Sequence, residues 1–157
     1  MLYILPKNGA ILDKIEKVNL LAHGIIDKSE LDNTEEYSLD SPTGYYIRTA
    51  DVDVIEQTQK IKPEVGTIFG IKYEIVGVSG GAANFQCKIH HPQLISPESG
   101  VVFNESNENK SNYLNEENFD FYEFEECWEI KEGIWKFVIQ QDETILLEKE
   151  FQIIKNV

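Results

Sequence analysis

The chain has 157 residues, of which 41% are hydrophobic, 27% charged and 11% aromatic, and its formal net charge is −14. A chain of this size and composition can bury a core of its own without a metal or a disulfide framework, and it is neither collagen-like nor disordered throughout. A field of that sign repels phosphate backbones and anionic membrane surfaces, so neither nucleic acid nor a membrane is expected as a partner.

Met1-Leu2-Tyr3-Ile4-Leu5 meets Pro6 and Lys7 after four apolar residues. A secretory signal needs a basic start and an apolar run of about 7–15 residues, and neither is present. Nor does any stretch reach the ~18 apolar residues of a membrane span. The expected compartment is therefore the cytoplasm. Residues 1–17 read as an N-terminal extension; Ile11, Leu12 and Ile15 have helical spacing over a stretch too short to decide. Val18 to Ile26 reads as a strand that ends near Gly24, residues 27–36 as a solvated loop, and Asp40-Ser41-Pro42-Thr43-Gly44 as a turn. Tyr45-Tyr46-Ile47 opens an extended segment that Val52 to Ile61 continues.

Thr67 to Val76 carries the plainest signal. Phe69, Ile71, Tyr73 and Ile75 alternate with Lys72 and Glu74, the period of two of a half-buried strand. Ser79-Gly80-Gly81 follows as a turn. Phe85, Cys87, Ile89 and His91 then alternate with Gln86, Lys88 and His90, and Pro92 is expected to end that strand because it cannot donate to a ladder. Residues 92–100 read as a proline-flanked loop, and 104–120, rich in Asn, Ser and Glu, as a long acidic loop. Phe124, Glu126, Trp128 and Ile130 mark a further strand. Trp135, Phe137 and Ile139 mark the next, and Ile145, Leu147, Phe151 and Ile153 the last, with polar turns at 131–133 and 141–143.

Seven or more short strands with regular turn signals predict an all-β fold, an antiparallel sandwich built as one domain over residues 1–157. Its expected core is Phe69, Ile71, Tyr73, Ile89, Trp128, Trp135, Phe137 and Phe151. Cys87 falls in phase with the inward positions and Cys127 out of phase with Trp128 and Ile130, which favours two reduced thiols over a disulfide.

A set of motifs carries a resemblance. They are Gly66-Thr67-Ile68-Phe69-Gly70-Ile71-Lys72-Tyr73, His91-Pro92-Gln93-Leu94-Ile95-Ser96-Pro97-Glu98-Ser99-Gly100, Trp128-Glu129, Gly133-Ile134-Trp135-Lys136-Phe137 and Glu148-Lys149-Glu150-Phe151. In this order, over residues 52–154 with Gly24 as an earlier match, the chain resembles an uncharacterised bacterial family of small immunoglobulin-like β-sandwich proteins, a domain of unknown function. The resemblance implies the immunoglobulin-like fold and no chemistry, and it assigns no functional residue.

The candidate constellations are sparse. His90 and His91 are adjacent on a strand and must point to opposite faces, and His23 is the only other histidine. No zinc-ligand spacing is present. Ser79-Gly80-Gly81 lacks the lysine of a phosphate-binding loop. Residues 104–130 hold nine acidic side chains against Lys110, a balance of −8. Three readings stand for that stretch: a solvated face, a docking surface for a basic protein partner, and a calcium site, though the aspartate spacing of a tight calcium loop is missing. Tyr45, Tyr46, Phe119, Phe121 and Tyr122 could form a ligand-binding patch or simply pack inside. No catalytic, cofactor-binding or metal-ligating residue is assigned and no cofactor is expected. The expected function is a non-enzymatic binding or protein-interaction module. The alternatives are a hydrolase whose carboxylates converge in a pocket and a calcium-binding sandwich.

Overall fold

The computed structural model describes residues 14–27, 34–37, 45–48, 53–78 and 81–155. Among the described residues eleven strands follow in chain order: β1 (Lys17–Ile26), β2 (Thr34–Tyr37), β3 (Tyr45–Arg48), β4 (Val54–Gln57), β5 (Lys60–Ile61), β6 (Ile68–Val76), β7 (Ala82–Ile95), β8 (Val102–Tyr113), β9 (Glu116–Glu123), β10 (Gly133–Gln141) and β11 (Thr144–Ile153). One sheet has the order β4-β1-β6-β9, the other β5-β11-β10-β7-β8, and β2 pairs with β3. All pairings are antiparallel except the short β5–β11 contact.

The alternation that predicted β6 is what builds the core. Phe69, Ile71, Tyr73 and Ile75 are buried from the first sheet, and Phe85, Cys87, Ile89, Trp135, Phe137, Ile139 and Phe151 from the second. Phe69 sits at the centre, its ring in contact range of Tyr122, Phe124, Trp135, Phe137 and Phe151. Full burial of each of these side chains stabilises the fold by roughly 1.5–3 kcal/mol.

Several expectations are corrected. Residues 104–120 are not a loop: they form most of β8 and the first part of β9, joined only by Leu114 and Asn115. Pro92 does not end its strand. The β7–β8 register shifts between His90 and Leu94, so Pro92 lies in a bulge, where its missing donor costs nothing, and β7 runs on to Ile95. The strand expected over 124–130 is replaced by a 3-10 turn at Cys127–Glu129. Trp128 therefore leaves the inward phase and packs, half-buried, against the rim of the core. The loop expected over 27–36 contains β2 at its end. Strand β1 runs through Gly24 to Ile26. The turn at Asp40–Gly44, Ser79, Gly80 and residues 1–13 of the N-terminal extension lie outside the described residues, whereas Lys17 already belongs to β1.

A polar seam and an acidic side wall as the candidate site

The two-residue link between β8 and β9 carries the chain from one sheet to the other. Leu114 N–H donates to the Gly81 carbonyl and Asn115 N–H to the Ile75 carbonyl, one anchor on each sheet. Leu114 is buried beneath the link, and Asn115 takes φ 66°, a left-handed conformation that Asn tolerates. Strands β8 and β9 are the outer strands of their sheets, so the link places them side by side along one flank of the sandwich.

Register then decides which side chains face inward. On β8, Ser106, Glu108, Lys110 and Asn112 stand opposite Ile89, Cys87, Phe85 and Ala83 of β7. On β9, Asn118, Asp120 and Tyr122 stand opposite Tyr73, Ile71 and Phe69 of β6. The flank is therefore closed by a seam of polar side chains rather than by apolar packing. Lys110 Nζ donates to Asp120 Oδ1 at 2.9 Å and to the Phe119 carbonyl at 2.9 Å. Tyr73 donates its hydroxyl proton to Asp120 Oδ2. Asn112 Nδ2 donates to Asn118 Oδ1 at 2.6 Å.

A second cluster lies at the far end of the seam. His91 is buried with its ring 4.9 Å from that of Trp135, and its ring nitrogens lie 2.8 Å from the Pro92 carbonyl and 3.4 Å from Ser106 Oγ. Glu129, only 1% exposed, accepts the Tyr122 hydroxyl on one oxygen. Its other oxygen accepts the backbone N–H groups of Glu125 and Glu126.

The electrostatics of both clusters oppose reactivity. Burial pushes the Cys87 thiol well above its ordinary value, and Asp120 beside it pushes it further. Burial and Asp120 act on Tyr73 in the same direction. Burial works against the Lys110 ammonium, but Asp120 and Glu108 outweigh it and raise its pKa. Burial lowers His91, with the Pro92 carbonyl opposing, and raises Glu129 against the pull of its three hydrogen bonds. A neutral thiol and a neutral phenol are weak nucleophiles, and a lysine held charged is not a base.

The residues singled out in the sequence fall apart spatially. His90 is exposed on the outer face, 3.5 Å from Glu105, while His91 faces the core. His23 lies on the other sheet with its ring edge toward Phe151. Among the described residues no group of three or more His, Cys, Asp and Glu side chains is arranged to hold a metal ion. Both cysteines are free, Cys87 buried and Cys127 exposed on the 3-10 turn. The aromatic patch is divided: Tyr122 is inside, whereas Phe119 and Phe121 pack with Ile26, Ile68 and Val54 in a second cluster, separate from the main core. Side chains of Tyr45 and Tyr46 lie outside the described residues. Of the nine acidic residues in 104–130, Asp120 and Glu129 are buried, and the others stand on β8, on β9 or on the exit from β9. The seam itself was missed, because polar residues at period two read as loop; the one available signal was the isolated Leu114 between two polar stretches.

Two packed antiparallel sheets joined across one flank define an immunoglobulin-like β-sandwich. A solved immunoglobulin-like protein from Pseudomonas aeruginosa is similar, with a TM-score of 0.58 and 19% identity over 88% of this chain and 98% of that chain. A likeness at that identity concerns the fold alone. The chain belongs to the family described as Domain of unknown function (DUF3859), whose model matches residues 14–153. Among curated proteins none matches it.

Proposed function

We propose that this domain is a non-enzymatic interaction module that docks a basic protein partner against the flank formed by β8 and β9. One observation carries the reading: the acidic stretch of the sequence is not a solvated loop but two ordered strands, each paired within its own sheet, with Glu116 and Glu117 at the start of β9 and Glu125 and Glu126 on the exit from it. Fixed charge of one sign steers a partner of the other sign and sets its register, and the ordered backbone spares the entropy that a loop would lose on binding. Chain edges also carry unpaired backbone groups, and flanking charge keeps such edges from joining indiscriminately. The hydrolase reading has less support, because the two buried acidic residues among those described are committed: Asp120 to Lys110 and Tyr73, Glu129 to Tyr122 and two backbone amides. A cytoplasmic setting belongs to the same proposal and suits two unbridged thiols.

The test is affinity capture from an extract of the source cell, comparing the native chain with a variant carrying Glu116→Gln, Glu117→Gln, Glu125→Gln and Glu126→Gln. A basic protein retained by the native chain at low salt and lost with the variant is the expected result. Equal recovery by both would refute docking on this flank.

A further inference from the structure

The outer face of the second sheet carries a structure that docking on the acidic flank leaves unused. Gln140, Gln86 and Asn109 stand in register on β10, β7 and β8. Gln140 Nε2 donates to Gln86 Oε1 at 3.0 Å, and Gln86 Nε2 donates to Asn109 Oδ1 at 3.0 Å. The three amides form one directed row across three strands. The next row up β7 is the pair Asn84 and Ser111. These residues line an open groove of about 960 Å³, bounded at one end by the β10–β11 turn at Asp142 and Glu143.

We infer that this groove is a binding site for a neutral, polyhydroxylated ligand, an oligosaccharide chain. Three features of the groove lead there. The hydrogen bonds within the row use one N–H and one lone pair of the Gln86 amide and leave the second of each; they also leave the Gln140 carbonyl oxygen and the Asn109 amino group for a ligand. A hydroxyl group is likewise donor and acceptor at once, so a run of hydroxyls matches a run of half-used amides, each able to reverse its role at little cost. Neighbouring strands set the amides about 4.8 Å apart, near the width of a sugar ring.

The competing ligand classes fit less well. An extended peptide pairs with a strand edge, whereas the groove lies over the face of the sheet, where β10 and β7 have both edges occupied and only β8 has a free one, directed away along the flank. An anionic chain meets a molecule of charge −14 with Asp142 and Glu143 at the groove's end, and the two lysines of the lining already face carboxylates, Lys88 that of Glu105 and Lys110 that of Asp120. An apolar ligand would have to strip water from the amide floor without replacing its hydrogen bonds. The amides hold each other's orientation, so little rotamer entropy remains to be lost when the ligand arrives. With no aromatic side chain in the row to stack on a sugar face, binding is weak and rests on hydrogen bonds alone.

The experiment is a titration of the isotope-labelled protein with cellohexaose, maltohexaose and chitohexaose, followed by the side-chain amide signals of Gln86, Gln140 and Asn109. At least one sugar is expected to shift these signals saturably with a Kd of about 1 mM. Gln86→Ala or Asn109→Ala should then weaken that binding about tenfold. Asn109 is exposed, so its replacement leaves the fold intact. No saturable shift with any of the three sugars would overturn the inference, and so would binding that survives both substitutions unchanged. The acidic-flank variant should bind the sugar as the native chain does, which separates this result from the outcome of the partner capture.

Discussion

Lys110 shows how a charge can be held inside a sandwich. Its ammonium reaches across the flank to a carboxylate only 4% exposed and to a backbone carbonyl of the outer strand β9. Breaking such a pair from one side leaves a charge without its counter-ion, which typically costs about 3–5 kcal/mol. Asp120→Asn is therefore expected to lower stability by about that amount in a reversible denaturant melt. The double replacement Lys110→Met with Asp120→Leu should recover most of the loss, because it removes both desolvation costs together. Trp135 is a different kind of residue. Its indole N–H donates to the Lys131 carbonyl, and its ring lies among those of His91, Tyr122, Phe124 and Phe69. Trp135→Ala should cost about 3–5 kcal/mol, and a loss below about 1 kcal/mol would contradict its place in the core.

His91 also sets a pH dependence. Burial holds its pKa below the ordinary 6.5, so the folded chain binds a proton less readily than the unfolded one. Its contribution to stability is then complete above 6.5 and is lost as the pH falls below that value. His90 and Glu105 act on it in opposite directions and do not reverse the effect of burial. Burial raises Glu129 instead, which favours the folded state at acid pH and works against the His91 loss there. Melting temperatures measured from about pH 7.5 down to 5.5 should fall in the native chain and fall less in His91→Gln. An identical pH slope in the two proteins would remove His91 from the account.

Among the elements, β6, β10 and β11 were legible because one face of each is apolar, and period two then appears directly in the residues. Strand β8 was not. Its inward positions are Ser106, Glu108, Lys110 and Asn112, so a reader looking for buried apolar residues sees none. Besides its ladder to β7, β8 is held by Asp120 and Asn118 of β9, 10 and 6 residues beyond Lys110 and Asn112 in sequence but visible as partners only once the chain crosses between the sheets. The 3-10 turn at Cys127–Glu129 was illegible for a related reason. Phe124, Trp128 and Ile130 suit a strand, but Glu129 turns inward to accept two backbone N–H groups, and that local contact overrides the pattern. Pro92 misled because a bulge absorbs it. The amide row was not legible, since Gln86, Asn109 and Gln140 are far apart in sequence and ordinary as residue types.

Gly70 explains why β9 can lie so close to β6. It pairs with Phe121, and a Cβ at this position would run into the Asp120 carbonyl oxygen and the Phe121 Cα. Backbone cannot step aside as a flexible side chain could. Gly70→Ala should therefore force the two strands apart and destabilise the fold by about 1–3 kcal/mol or more. The same change should weaken amide-exchange protection along β9 more than along β10. Uniform loss over both strands would mean that Gly70 does not set the β6–β9 spacing.

At the scale of the whole molecule, the charge of −14 is unevenly placed, with a balance of −8 in residues 104–130. Like charges at that density oppose compaction, and part of that repulsion is answered by Lys110 paired with Asp120 inside the seam and by Lys72 paired with Glu117 on the outer face. The rest remains as a field along one flank, which acts before contact and so affects how fast a partner arrives more than how long it stays. Salt shortens the reach of that field, from a Debye length of about 10 Å at 0.1 M to about 3 Å at 1 M.

The docking proposal is tested most directly by the association rate of a captured basic partner, measured across that range of salt for the native chain and for the variant with Glu116, Glu117, Glu125 and Glu126 changed to Gln. The native rate should fall steeply as salt rises. The variant should start slower at low salt, show a shallower slope and meet the native rate near 1 M. Equal rates for the two proteins at 0.1 M and below, with the same salt slope, would contradict docking on the β8–β9 flank.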